Sequence, residues 1–499
     1  MVLMLASPTL RRPLILGSIM AAMAMIAIEA TIVSTAMPQI AGQLGDLHLY
    51  SWVFSAFLLA QTATTVVFGK LADVYGRKPV LLIGIAVFLL GSVMCGLAWS
   101  MPTLIAFRLV QGLGAGAIQP VALTVVGDLY SIEERGKIQG YLASVWGISS
   151  VVGPFAGALI IQQVSWAWIF WINVPIGLAA AAGFVAYLHE SVPPKSQSVD
   201  YAGAALFAVA VAALMISLTE AGTEGGGAIA LGALVVCIIT ALLFILQEKR
   251  ASTPMLDVAL WRRRPIATAN IATLLSGMSI IGLTTFLPMY VQGVLGQSPL
   301  VAGFTLTAMV LGWPIGATLA ARNFARFGLR PTLLFGATLL PLGAIGFVLL
   351  NPSTSPQVAA IGSVVMGLGM GFLSTAAIVI IQSSVEWGER GAATASNIFA
   401  RNLGSTLGAT ALGAVFNISL ATGGRGIVPV DFDTIRQLLE RPGTLVGEAS
   451  ARLALGNSLH LTFWGVFVVS VLTFVTAVMV PRVHHPIASS AVSRPGLEP

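Results

Sequence analysis

The sequence predicts an all-α protein that crosses a membrane many times. Three observations carry that reading. Of 499 residues, 57% are apolar and only 9% are Asp, Glu, Lys or Arg, against roughly 25% charged residues in ordinary soluble domains. The mean hydropathy is +0.91, which leaves too little polar surface for a water-exposed protein of this size. Apolar runs of about 20 residues, each enough for one spanning helix, follow one another along the whole chain.

Fourteen such spans are expected, near 13–37, 49–69, 80–100, 103–127, 138–163, 167–188, 201–221, 228–247, 266–291, 299–321, 331–350, 357–382, 392–419 and 459–481. The first is too long for the apolar core of a signal peptide and long enough to span. Basic residues orient the set. Of 25 Lys and Arg residues, 19 fall in the two tails and the alternate loops on the N-terminal side, among them Arg11, Arg12, Lys70, Arg77, Lys78 and Arg390. The six short loops on the other side hold none, and Arg425, Arg436, Arg441 and Arg452 share one long outer loop, 420–458. This sorting places both termini in the cytoplasm, and the inner (plasma) membrane is the expected location. The sorting also accounts for the net charge of +6 without a nucleic-acid partner. The outer loop reads as a solvated linker, with a short surface helix over 433–441, or as a lid. Cys95 and Cys237 sit in apolar runs and read as small core residues rather than a disulfide or metal pair.

An internal repeat organises the spans. Residues 73–82 (DVYGRKPVLL) align with 325–334 (ARFGLRPTLL), 112–116 (GLGAG) with 367–371 (GLGMG), and Glu134-Arg135-Gly136 with Glu389-Arg390-Gly391. The common displacement corresponds to eight spans. An even displacement keeps both copies in the same orientation, so the repeat is parallel. The expected division is a six-helix half over 1–190, an inserted helix pair over 191–250, and a second six-helix half over 251–499.

Several motifs resemble one known family. Gly69-Lys70-Leu71-Ala72-Asp73-Val74-Tyr75-Gly76-Arg77-Lys78 resembles the signature loop between spans 2 and 3 of the major facilitator superfamily, whose halves are related by a parallel repeat. RLVQGLGAGAIQP, 108–120, resembles the span-4 signature of its proton-coupled members. Gly140, Gly153, Pro154 and Gly157 resemble the antiporter motif of span 5, with Ser149 and Ala158 where further glycines are usual. WAWIFWINVPIG (166–177) and FLPMYVQGVLGQSPLVAG (286–303) are similar to the fourteen-span drug:proton antiporters, the QacA/EmrB-like branch. The stretch 28–33 (IEATIV) resembles it too, with Glu29 where that branch more often carries Asp.

Charge depth singles out the functional candidates. Of 19 carboxylates only Glu29 lies deep in a span. A charge in the hydrocarbon costs about 2.5–3.5 kcal/mol on insertion scales, so it should face a cavity and have a partner. Arg108, entering span 4 from the outer side, is the candidate partner. Burial disfavours the charged carboxylate and a neighbouring guanidinium favours it, so changing exposure can load and unload a proton. A fixed ion pair is the other reading. Arg401, in span 13, reads equally as a gate or as a side chain snorkelling to the cytoplasmic interface. The loop 69–79 reads as a cytoplasmic latch: Gly69 and Gly76 allow close approach and a tight turn, while Asp73 can meet a helix terminus and pair with Arg77. Gly153-Pro154 and Gly157 suit tight helix packing or a gating bend.

A substrate cavity is expected near the midplane between the halves. Its candidate wall is Met25 and Gln111 from the first half, with Phe286, Met289, Tyr290, Met309, Trp313, Met366 and Met370 from the second. Methionine and aromatic surfaces repack around varied ligands and hold organic cations. The expectation is a monomeric, proton-coupled exporter of lipophilic and preferably cationic compounds. It is not an enzyme and needs no cofactor beyond the coupling proton; membrane lipids are its surroundings. A lipid or metabolite exporter, or a nutrient importer, shares the fold. A sensor would need an output domain, and a channel would not drive uphill transport. The chain has no G-x-x-x-x-G-K-[ST] loop for ATP.

Overall fold

The computed structural model describes residues 8–44, 49–190, 200–220, 225–251, 258–421 and 448–482. Its elements are α1 (Pro8–Leu44), α2 (Tyr50–Tyr75), α3 (Arg77–Gly96), α4 (Met101–Leu129), α5 (Ile132–Gln163), α6 (Trp168–Trp171), α7 (Asn173–Tyr187), α8 (Tyr201–Glu220), α9 (Gly227–Arg250), α10 (Val258–Arg262), α11 (Arg264–Met289), α12 (Pro299–Phe327), α13 (Leu329–Val348), α14 (Pro356–Ser383), α15 (Arg390–Ala421) and α16 (Glu448–Val478). Among the described residues thirteen helical stretches are long and apolar enough to cross a membrane, α6 with α7 making one of them. The 32-residue α5 is a further long helix packed among them. The protein is thus an all-α, multi-pass membrane protein.

Local sequence sets the helix starts. Ser100 and Ser131 accept from the backbone N–H three residues on, closing capping boxes with Thr103 and Glu134; each satisfies N–H groups that a helix start leaves unpaired. Ser298 caps α12 by accepting from the Val301 N–H and Ser355 caps α14 by accepting from the Gln357 N–H, with Pro299 and Pro356 in the first turn, where proline loses no hydrogen bond. The α2–α3 and α12–α13 turns are built alike. Gly76 (φ 98°) and Gly328 (φ 85°) take the same positive-φ conformation at aligned positions of the sequence repeat, one that a side chain would strain.

Two hydrophobic bodies result. One gathers α1–α7 around Ile26, Phe88, Ile118 and Phe184, with a second cluster around Ile32 and Phe170. The other gathers α11–α16 around Leu287, Phe347, Leu373 and Phe463. They meet chiefly through α5 against α12 and α2 against α15. Helix α8 joins the α2–α15 seam through Val211 and Met215. Helix α9 leaves Leu231, Val235 and Leu242 exposed on its outside, a lipid-facing surface in a membrane.

Within the first body, α3 and α4 approach backbone to backbone. A methyl group on Gly114 would lie 2.6 Å from both Phe88 Cα and the Gly84 carbonyl oxygen. Because backbone cannot rotate away, Gly114→Leu is expected to lower stability by about 1–3 kcal/mol or more, read as a lower melting temperature in detergent.

Three features differ from the sequence expectation. The sixth span is broken at Ile172 between α6 and α7. The ninth ends in a π-helical turn, Tyr290–Val294, just after Pro288, whose missing N–H loosens the ladder there. Helix α16 begins at Glu448 and α15 ends at Ala421, both inside the stretch read as outer loop 420–458; residues 422–447, including 433–441, lie outside the described residues.

Candidate functional site

A buried polar cluster occupies the interior of the first body. Glu29 is fully buried in α1 and ion-paired with Arg108 of α4, itself 2% exposed. The pair is held on every side. Asn173 Nδ2 donates to the second carboxylate oxygen (2.6 Å). Arg108 Nη1 donates to Gln111 Oε1 (2.7 Å), and its Nε donates to the Val53 carbonyl (3.1 Å). Gln111 Nε2 in turn donates to Ser92 Oγ (2.8 Å). The guanidinium carbon lies 4.4 Å from the centre of the Phe57 ring, a cation–π contact. Five helices therefore converge on one carboxylate–guanidinium pair.

The break at Ile172 gives Asn173 its place: it opens α7 and turns its amide toward α1. Sequence reasoning missed Asn173, although its stretch 166–177 was singled out; the available signal was an amide, two residues before a proline, in mid-span. Asn173→Ala removes a hydrogen bond to a charged group, worth about 1.5–3 kcal/mol. It is expected to slow substrate transport in proteoliposomes severalfold or more without loss of fold.

A second cluster lies at the arginine-rich end of the bundle. Asp73, near the end of α2, accepts from the Gly391 and Ala392 N–H groups (2.9 and 2.8 Å). These are orphan donors at the start of α15, where a negative charge also meets the helix dipole. Arg77 pairs with Asp73 (3.0 Å) and with Asp128 of α4 (3.0 Å), and donates to the Trp387 carbonyl (2.7 Å). Its guanidinium stacks 3.8 Å from the Trp387 ring centre. Arg390 pairs with Asp128 from the other body. Gly69 gives α15 room: a methyl group there would collide with Ala395 Cβ and sit 2.8 Å from the Gly391 carbonyl oxygen. Gly76 supplies the turn before Arg77. Asp128, Trp387 and Arg390 were not singled out as site residues by the sequence, though Arg390 stands in the third repeat match.

The two bodies are thus clamped at this end and diverge away from it. Along α5, a methyl group on Gly136 would lie 2.6 Å from Ala321 Cβ of α12, whereas at Gly147 the nearest atom is Pro314 Cγ at 3.5 Å. Beyond that, α5 turns its contacts to α1: Gly153 abuts Thr31, whose hydroxyl donates to the Ser149 carbonyl (3.0 Å). Helix α5 runs unbroken through Pro154, and Gly157 is buried; the Pro154 side chain lies outside the described residues.

The expected cavity residues are divided between the two bodies. Met25 packs inside the first body, against Gly177 of α7. Gln111 bonds to Arg108 and Ser92 in the Glu29 cluster. Phe286 packs on Phe416 (5.4 Å between ring centres) and Tyr290 on Phe463 (5.5 Å), and Met366 fits against Gly343 of α13. These contacts lie within one body. Met309 and Met370 are buried in the second core, whereas Met289 and Trp313 are half-buried at its edge. Arg401 lies in α15, half-buried. Cys95 and Cys237 are free thiols.

Comparison with known proteins agrees with this architecture. The family model described as Major Facilitator Superfamily matches residues 19–409. The chain is 35% identical over 404 residues to Multidrug resistance protein 3 of Bacillus subtilis (strain 168), covering 81% of this chain and 78% of the relative. It is 33% identical over 409 residues to Multidrug transporter protein MdtP of the same organism, covering 82% and 76%. Its fold is similar to the human organic anion transporter MFSD10 (TETRAN), with TM-score 0.66 and 15% identity over 95% of this chain and 100% of that one; at that identity the likeness concerns the fold alone. The helical bundle, its motifs and the match over most of its length together make this chain a member of the major facilitator superfamily, a multi-pass membrane transporter.

Proposed function

We propose that the chain is a drug:proton antiporter of the fourteen-span, QacA/EmrB-like branch, exporting lipophilic compounds by alternating access. In this reading it is a monomer in the inner (plasma) membrane with both termini in the cytoplasm. It is not an enzyme, uses no cofactor besides the coupling proton and has no nucleic-acid partner. The names of the relatives, multidrug resistance protein and multidrug transporter, support export. The observation that carries proton coupling is the fully buried Glu29, held by Arg108 and Asn173. Intramembrane acids are expensive and are functional by default.

The residues around Arg108 explain how Glu29 can change protonation. When Glu29 takes a proton, Arg108 keeps its hydrogen bonds to Val53 and Gln111 and its seat on Phe57. It is not stranded as a bare buried charge. The Asp73–Arg77–Asp128–Arg390 cluster closes the cytoplasmic side in this conformation; contacts present in only one state bias the equilibrium between states. Gly153, Pro154 and Gly157 set the α5–α1 packing that such a movement repacks. A cationic cargo fits only a state in which Arg108 has released Glu29, since in this conformation the carboxylate is already neutralised.

The test is uphill movement of a panel of cationic, neutral and anionic lipophilic dyes in proteoliposomes under an imposed pH gradient. Gradient-dependent accumulation of at least one class is the expected result. Gradient-independent uptake of a nutrient, with no dye moved, overturns the reading.

A further inference from the structure

The charge left over in mid-membrane is positive. Glu29 and Arg108 neutralise each other. Arg401 sits eleven residues into α15, about 16 Å from its start at 1.5 Å per residue. That is too deep for its side chain to reach the clamped end, so snorkelling does not account for it. Among the described residues the Arg401 side chain makes no ion pair and no hydrogen bond, while its carbonyl accepts from Ser405 Oγ (3.2 Å).

Its neighbours fix where it can point. Helices α11 and α15 touch backbone to backbone: methyl groups on Gly277 and Gly408 would lie 2.6 Å from the Arg401 carbonyl oxygen and 2.5 Å from Met278 Cα. A guanidinium cannot enter that seam. Asn397, one turn nearer the clamp, is satisfied by Asn270 (3.2 Å) and Thr273 (2.9 Å) of α11. Ile398 shares a helical face with Arg401 at i, i+3, and Ile398 is packed into the core of the first body. Arg401 lies one turn further along that face, and it is half-buried. Buried Asp73 and Asp128 meet α15 at its clamped start, and buried Glu220 ends α8 near the level of Thr410, whose hydroxyl donates to the Leu218 carbonyl (3.1 Å). That level is about 13 Å further along the helix.

We propose that Arg401 is a substrate subsite that binds an anionic headgroup, a carboxylate or its equivalent, on a lipophilic compound moved by this transporter. The subsite rests on the export reading above and gives its cargo a charge class opposite to the cationic expectation. An always-charged, half-buried planar fork binds a carboxylate through paired, charge-assisted hydrogen bonds. Half-exposure leaves it open to a ligand, and the absence of a protein acid leaves its charge for that ligand to match.

The full chain in lipid nanodiscs is titrated with a dansyl-labelled undecanoate and with its primary amide, followed by dansyl fluorescence. The carboxylate is expected to bind about tenfold tighter than the amide, or more, the scale of a hydrogen bond between charged groups. Arg401→Gln is expected to bring the two within about twofold, and Arg401→Lys to keep part of the preference. Equal binding of both probes by the unaltered protein, or a preference undiminished in Arg401→Gln, overturns the subsite. Export of the carboxylate probe under a pH gradient is measured in parallel. If it is not exported while the Arg401-dependent binding preference holds, the export reading fails and the subsite stands.

Discussion

Glu29→Gln is expected to abolish pH-gradient-driven transport, reducing it to the level of protein-free liposomes, while energy-independent substrate exchange persists. Glutamine keeps the shape of the side chain and an acceptor for Asn173 Nδ2, but it cannot take up and release a proton. Removing one partner of a buried ion pair typically costs about 3–5 kcal/mol. Here the cost should be smaller, because Arg108 retains Val53, Gln111 and the Phe57 ring. The double replacement Glu29→Gln with Arg108→Gln separates two roles. If the pair only ties α1 to α4, removing both charges restores stability and transport together. With Glu29 as the carrier, stability recovers in the melting curve and uphill transport does not.

Asp73→Ala is expected to shift the protein strongly toward a conformation open at the end that Asp73 clamps. It removes the acceptor for the Gly391 and Ala392 N–H groups and one of the two carboxylates paired with the Arg77 guanidinium. Hydrogen bonds to a charged group are worth about 1.5–3 kcal/mol each. Since they join the two bodies only when this end is closed, their loss should change the ratio of states by about tenfold or more. Spin labels at Lys137 and Arg326, exposed on α5 and α12 at the same end, should show a longer distance population. Asp73→Asn, which keeps an acceptor oxygen, should fall between. An unchanged distance distribution in Asp73→Ala would remove the latch role.

How much of this was legible in the sequence follows from the physics of each feature. The spans were, because only long apolar runs can cross a bilayer. Glu29, Arg108, Asp73 and Arg77 stood out because charge is rare in such a chain. The cavity residues did not sort. In a membrane the outside of a helix is as apolar as its core, so Met25, Phe286, Tyr290 and Met366 carry no mark of which neighbour they face. Breaks at Ile172 and after Pro288 were hidden for a related reason: hydropathy reports length in the membrane, not continuity of the hydrogen-bond ladder. Asn173 and Asp128 became visible only once α7 and α4 had been placed against α1 and α3.

Proton movement accompanying substrate movement tests Glu29 most directly. In sealed proteoliposomes holding a pH-sensitive dye and no imposed gradient, adding an exported compound should move protons in the opposite direction. The double variant Glu29→Gln with Arg108→Gln, reconstituted at equal density, should move none. Proton countermovement of undiminished size in that variant would contradict the assignment of Glu29 as the proton carrier.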